Sequence, residues 1–188
     1  PVWAFDYAAQ NDISISMFLE NHIEAAELTY KKTGLKTKAH IKLDTGMNRI
    51  GVEKEDAVDF IKRIQNNDAI ELQGIFTHFA CAENEEKIKI WNDILSKINT
   101  KGLILHCFNT AATIAQYEEE NYNMVRLGLS LHGLLPDLPS ITKRIPKLIP
   151  VMSVKGRISN IHIAKKGTGV SYSHTFTAEK DTTIATIP

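Results

Sequence analysis

Between positions 18 and 135, short apolar runs alternate with helix-patterned stretches, and no other feature of the 188 residues constrains the fold as much. "AHIKL", "LQGIFTHF" and "LILHCF" read as strands, and "NMVRLGLSLHGLL" supplies a fourth. Between them, Ala57, Phe60, Ile61 and Ile64 recur at the i, i+3, i+4, i+7 spacing of an amphipathic helix, and Ile88, Trp91, Leu95 and Ile98 mark another. Ahead of the first strand, Ile23, Ala26 and Tyr30 share a helical face with Asn21 as the candidate N-cap. A short helix is expected from Thr110. Strand alternating with helix means βαβ units on a parallel sheet. Such a sheet either closes into a (β/α)8 barrel or stays open and doubly wound.

The alternation stops at "PDLPSITKRIPKLIP", where four of the six prolines fall. That density excludes regular helix and marks a linker. Beyond it, "VKGRISNIHIA", a "KKG" turn, "VSYSHTFTA" and "TTIATIP" alternate with period two and are rich in β-branched residues. The expectation is an α/β domain over 1–147 and the start of a mainly β domain over 148–188.

Acids and bases balance at 22 each, so neither a nucleic-acid-binding field nor an acidic disordered tail is expected. No apolar run approaches the ~20 residues of a membrane span. Cys81 and Cys107 have neither CxxC nor metal-ligand spacing and suit buried thiols in a reducing cytosol. The chain opens on "PVWAFDYA" without a Met start or signal segment and stops after a strand-like run, which reads as a piece of a longer protein.

Chemistry in a parallel barrel gathers where strands end. Here the first strand ends in Lys42 and Asp44, with Arg49 following, and the second in Thr77 and His78. His106, Asn109 and Thr110 follow the third, and Arg126 and Gly128 lie on the fourth. A lone strand histidine is usually a satisfied core residue. Four successive strands ending this way are harder to dismiss, because an unsatisfied buried polar atom costs about 1–3 kcal/mol. The bland alternative is a set of strand-end ion pairs that only hold the barrel shut. No HxH or HxxxH pair supports a metal, and no GxSxG elbow supports a nucleophilic triad. Cations, hydroxyls and a glycine beside an arginine suit an anionic ligand that carries a phosphate.

Four motifs, "IKLDTGMNRIGV", "GIFTHFACAENEE", "HCFNTAAT" with "NMVRLGLSLHGL", and "KKGTGVSYSHTFTA", together resemble the alanine racemase family. The resemblance runs from about Lys36 to Pro188, in the family's order and at roughly its spacing. It implies a partial (β/α)8 barrel lacking its first strands, followed by the start of a β domain. It also implies pyridoxal 5′-phosphate as cofactor, L- and D-alanine as substrates, a cytoplasmic location and a peptidoglycan outlet. Head-to-tail homodimers are implied, each active site combining one barrel with the partner's β domain.

Residue by residue, His78 matches the side chain stacked on the cofactor ring, and Arg126 the arginine bonded to its pyridine nitrogen. His106 matches that arginine's supporting partner. Thr110 stands where the family usually has serine, and Asn109 precedes it. The N–H groups of Gly128 and Leu129 complete the phosphate cradle. Arg49 matches the arginine that steers the substrate carboxylate. Lys42 matches a position that is carbamylated in many members; an unmodified Lys42 paired to Asp44 is the alternative. Tyr172 matches the catalytic tyrosine, one of two bases that racemisation needs on opposite faces of the Cα.

The other base, the cofactor-binding lysine, is expected outside this chain, so the 188 residues alone are expected to be inactive. His132 departs from the aromatic usual in "LYGL". Competing readings are a racemase of another amino acid such as serine, a non-catalytic cofactor-binding barrel, and a barrel with purely structural polar ends.

Overall fold

Four short strands run parallel in sequence order: β1 (Ile15–Met17), β2 (Thr37–Lys42), β3 (Ile70–Phe76) and β4 (Ile104–His106). Helices connect them in this computed structural model, which describes residues 1–81, 85–115 and 122–188. The described chain divides into two compact units, Pro1–Pro150 and Val151–Pro188.

In the first unit, α1 (Phe5–Gln10) precedes β1, and α2 (Glu20–Thr33) joins β1 to β2. Glu20 lies at the N-terminus of α2 and Lys31 and Lys32 at its C-terminus, matching the helix dipole. Gly34 ends the helix in the left-handed region (φ 73°). The expected cap Asn21 is instead the second helical residue, since Leu19 is the extended residue at the boundary. The buried face is His22, Ile23, Ala26 and Thr29, and Tyr30 lies exposed beside it.

α3 (Ala57–Gln65) and α4 (Glu85–Leu95) follow the apolar periodicity. Ala57, Phe60, Ile61 and Ile64 are buried on one, and Ile88, Trp91, Ile94 and Leu95 on the other. They join one core with Ala39, Ile41 and Leu43 from the β2 segment and Ile75 from β3. Strand side chains alternate, so the opposite face of β2 carries Lys38, His40 and Lys42. α5 (Thr110–Ala115) follows β4. Cys107 is buried as expected for a thiol, whereas Cys81 lies at the surface.

The expected fourth strand does not form as a regular strand among residues 122–128. Asn123 N–H donates to the Leu105 carbonyl (3.3 Å) and Arg126 N–H to that of Phe108 (3.0 Å). Just before the first of those bonds the Asn123 side chain accepts from Leu105 N–H (2.8 Å) and donates to the Leu103 carbonyl (3.1 Å). A side chain has taken the groups a ladder would use. The segment then turns through a 3-10 helix, Leu129–His132.

The second unit is antiparallel. β5 (Asn160–Ala164) pairs with β8 (Thr182–Thr186), and β6 (Gly169–Val170) with β7 (Phe176–Thr177). Gly167 (φ 84°) makes the tight turn after Lys165. Among the described residues no helix is long and apolar enough to cross a membrane.

After β2 the chain loops out and returns, Asp44 N–H donating to the Val52 carbonyl (2.8 Å) and Val52 N–H to that of Lys42 (2.9 Å). Gly51 makes the return possible. Its φ is 140°, and a Cβ there would lie 2.5 Å from Asp44 N and 2.7 Å from the Leu43 carbonyl carbon. Gly51→Ala is therefore expected to destabilise by about 1–3 kcal/mol through overpacking, with backbone strain adding a similar amount. Chemical denaturation measures it. A loss below about 0.5 kcal/mol, the range of an unremarkable surface change, would mean the loop does not need this contact.

Candidate active site

The carboxyl ends of β2, β3 and β4 converge on Arg126. Its Nη1 donates to the Nδ1 of His106 (2.7 Å) and to the His106 carbonyl (2.9 Å). Its Nη2 donates to the Thr77 carbonyl (2.6 Å) and approaches His78 Nδ1 at 3.4 Å. Four of the five guanidinium hydrogens are thus accounted for. The Nε–H is the one left without a partner among the described residues. The guanidinium carbon also lies 5.2 Å from the centroid of the Phe76 ring, a cation–π distance.

Phe76 is the platform under this group. His106 stacks on it almost parallel, with centroids 4.8 Å apart at 5°, and Lys42 Nζ lies 5.8 Å from its centroid. Register explains the arrangement, because Phe76 pairs with Lys42 on one side and His106 on the other.

Lys42 is buried, and its Nζ donates to the Leu43 carbonyl at 2.5 Å. The Thr77 hydroxyl donates to the same carbonyl (2.9 Å), so Thr45 Oγ1, 2.8 Å away, must donate to Thr77. Burial pushes the Lys42 amine down to about 8, with Asp44 opposing the shift and Arg126 and Arg49 adding to it. Asp44 does not bond Lys42. One oxygen accepts the N–H groups of Gly46 (2.8 Å), Met47 (2.8 Å) and Asn48 (3.1 Å), and the other accepts that of Arg49 (3.3 Å). Burial alone would raise this carboxyl; the loop N–H groups and Lys42 outweigh it and hold it low. Asp44 therefore shapes the loop that presents Arg49, whose side chain is exposed.

Burial, then the charge of Arg126, then His40 push His106 down to about 3, so its ring is neutral. His78, half-buried, is also lowered by burial and by Arg126, Arg49 and Lys42. Burial lowers Arg126 itself, though far too little to discharge a guanidinium. Three cations thus surround neutral imidazoles, and the nearby carboxylate is already saturated by its loop. Such a donor set fits an anion.

Thr110, buried at the start of α5, accepts the Gly128 N–H (2.8 Å) and keeps its own hydroxyl hydrogen to donate. Leu129 opens the 3-10 turn, whose leading N–H groups lack partners within the turn. Asn109 is committed locally: its oxygen accepts Ala112 N–H (3.0 Å), capping α5, and its amide reaches the Phe79 carbonyl (3.4 Å). Part of the "GIFTHFACAENEE" motif, 82–84, lies outside the described residues. Among those described, no cluster of His, Cys, Asp and Glu could hold a metal.

Tyr172 belongs to the second unit and is 94% exposed. It sits between Ser171 (φ 64°) and Ser173 (φ 58°), followed by His174 (φ 46°). Three non-glycine residues with positive φ within four positions make a costly local conformation. The His174 ring packs where a Cβ on Gly169 would stand, 2.4 Å from its Cγ. Sequence reasoning did not single out Phe76, Thr45 or His40 as site residues; strand register brings in Phe76 and His40, and the bond to Thr77 brings in Thr45.

Fold and site together define a partial (β/α)8 barrel, followed by a β unit, with an anion-receptive cationic centre at its strand ends. Residues 1–136 match the family model of the alanine racemase N-terminal domain, and residues 151–188 that of its C-terminal domain. The chain belongs to the alanine racemase family. It is 33% identical over 189 residues to alanine racemase 1 of Bacillus subtilis (strain 168), covering 96% of this chain and 48% of that protein. The structure of alanine racemase from Clostridium difficile 630 matches with a TM-score of 0.75 at 30% identity, over all of this chain and 51% of that one. A histidine racemase from Leuconostoc mesenteroides subsp. sake matches equally, with a TM-score of 0.75 at 30% identity over all of this chain and 52% of that chain. The chain spans about half the length of the relatives it matches.

The depressed Lys42 amine has a testable consequence. Folding disfavours its protonated form, so the unfolded chain holds that proton to higher pH. Wild-type stability should then rise between about pH 8 and the ordinary lysine value of 10.5, by roughly 3 kcal/mol. In carbon-dioxide-free buffer, the difference in unfolding free energy between wild type and Lys42→Met should climb in wild type's favour across that window. A flat difference would mean that Lys42 titrates as an ordinary amine.

Proposed function

We propose that this chain carries the barrel centre and the catalytic tyrosine of a pyridoxal-phosphate-dependent alanine racemase. In this reading it interconverts L- and D-alanine by a two-base mechanism, in the cytoplasm, as a homodimer. D-alanine for peptidoglycan is the proposed outlet. The observation that carries the cofactor assignment is the Arg126 guanidinium. Four of its hydrogens point to fixed acceptors, and the Nε–H remains as a donor that cannot be withdrawn. Such a donor suits a ring nitrogen that stays unprotonated.

The residues present fit the cofactor. The Thr110 hydroxyl and the Leu129 N–H would hold its phosphate, with Gly128, whose own N–H donates to Thr110 Oγ1, orienting that hydroxyl. Arg126 would hold its ring nitrogen, and His78 its ring face. Once bound, the cofactor withdraws electrons from the amino-acid Cα and so acidifies its hydrogen. Arg49, presented by the Asp44-capped loop, binds the substrate carboxylate. Tyr172 exchanges a proton at the Cα from one face. The second base, a lysine that also binds the cofactor covalently, is proposed to come from outside these 188 residues, which alone would then be inactive. Lys42, buried beside cations and with a lowered amine, is proposed as a carbamate in the working enzyme, since an uncharged amine is the form that reacts with carbon dioxide.

The match to a histidine racemase favours a second reading in which the same machinery acts on a larger amino acid.

The whole-length protein that carries this chain should racemise alanine in the presence of pyridoxal 5′-phosphate, and each enantiomer should take up solvent deuterium at Cα. Tyr172→Phe should suppress uptake from one enantiomer by at least about a hundredfold, the scale of a lost general base. Uptake from the other enantiomer should persist in part. Equal losses from both would make Tyr172 a substrate-positioning group, and activity on histidine alone would select the second reading.

A further inference from the structure

Behind His106 stands a residue that the proposed chemistry leaves unused. His40 projects from the same sheet face, and its Nδ1 lies 2.9 Å from His106 Nε2. The rings meet edge to face, with centroids 5.0 Å apart at 68°. The two histidines are on β2 and β4, with β3 between them, so something on β3 must give way. It is Gly74, the register partner of both His40 and Ile104. A Cβ at position 74 would lie 2.5 Å from His40 Nδ1 and 2.6 Å from its Cε1. The glycine opens the space through which the rings touch.

The hydrogen-bond directions follow without further assumption. Arginine only donates, so His106 Nδ1 must accept from Arg126 Nη1. A neutral His106 then carries its hydrogen on Nε2 and donates it to His40 Nδ1. His40 in turn carries its own hydrogen on Nε2. Protonating either ring would set two N–H groups against each other, at Arg126 or between the rings. The parallel stack on Phe76 holds the His106 plane while these bonds hold its edge.

We propose that His40 is a positioning residue for the ligand site: by accepting the His106 Nε2–H across Gly74, it locks the tautomer that anchors the Arg126 guanidinium. Its role toward a cofactor rests on the racemase reading, whereas the chain of bonds does not. Without an acceptor at position 40, the His106 Nε2–H would be buried without a partner, which is unfavourable. The ring would relieve this by moving its hydrogen to Nδ1 or by flipping, and either change ends the bond to Arg126.

The test is imidazole and guanidinium nitrogen NMR on the whole-length protein without added cofactor, in wild type, His40→Leu and His40→Asn. Wild type should show His106 neutral with hydrogen on Nε2, and a slowly exchanging Arg126 Nε–H. His40→Leu should mix the His106 tautomers and speed Arg126 Nε–H exchange about tenfold, the factor that corresponds to one lost hydrogen bond. His40→Asn, whose amide oxygen restores an acceptor, should recover both signals. Three results would each overturn the proposal: a wild-type His106 that is cationic or protonated on Nδ1, a leucine variant with unchanged His106 or Arg126 signals, or an asparagine variant that rescues neither. Pyridoxal 5′-phosphate is titrated in parallel. Failure of wild type to bind it would sink the racemase reading, while the NMR result would still decide the role of His40.

Discussion

The guanidinium of Arg126 ties the carboxyl ends of β3 and β4 together. It donates to the carbonyls of Thr77 and His106, the first residue beyond one strand and the last of the other. At that point the parallel ladder is running out: its last bond, Thr77 N–H to the His106 carbonyl, is 3.3 Å long, and the guanidinium adds a donor to each of the two carbonyls. A half-buried arginine brings a charged fork of donors, two of which reach these carbonyls. The rest of the site follows from that choice. His106 must be neutral to accept from Arg126, Phe76 lies stacked beneath it, and Lys42, lowered first by burial, loses further affinity for a proton to the charge of Arg126.

A centre built this way accumulates positive charge and solves the problem in two different ways. Arg126 stays charged, because a guanidinium spreads its charge and has acceptors on several sides. Lys42 is buried with one carbonyl, an aromatic face and two neighbouring arginines, and burial first and then the arginines bring its amine down to about 8. Asp44, close by in sequence, could have neutralised Lys42. Instead its oxygens organise four N–H groups of the following loop. The carboxylate is used for backbone shape and the excess charge is left for a ligand.

The apolar periodicity made β2, β3, β4, α3, α4 and α5 legible, because each buries one face against the same core. The helix start at Glu20 was missed, since Asn21 is a good cap type but lies two residues past the boundary residue Leu19. The strand expected around Arg126 was missed because its apolar letters hide Asn123, whose side chain replaces the ladder. Most candidate site residues could be found as polar groups at strand ends. His40 could not, for it sits inside a strand and reads as an ordinary inward-facing residue. Only the register that places Gly74 between it and His106 reveals the contact. Asn109, expected at the site from its place beside Thr110, has its side-chain oxygen bonded to the Ala112 N–H at the start of α5.

If Arg126 is the hub, the ligand it serves must present an acceptor to the remaining Nε–H. Calorimetric titration of the whole-length protein with pyridoxal 5′-phosphate, and with its analogue in which carbon replaces the ring nitrogen, isolates that single contact. Wild type should bind the natural cofactor at least about tenfold more tightly, as expected for a hydrogen bond from a charged donor, and Arg126→Met should erase the preference. Equal affinity of wild type for the two compounds, or a preference that survives in Arg126→Met, would contradict the account.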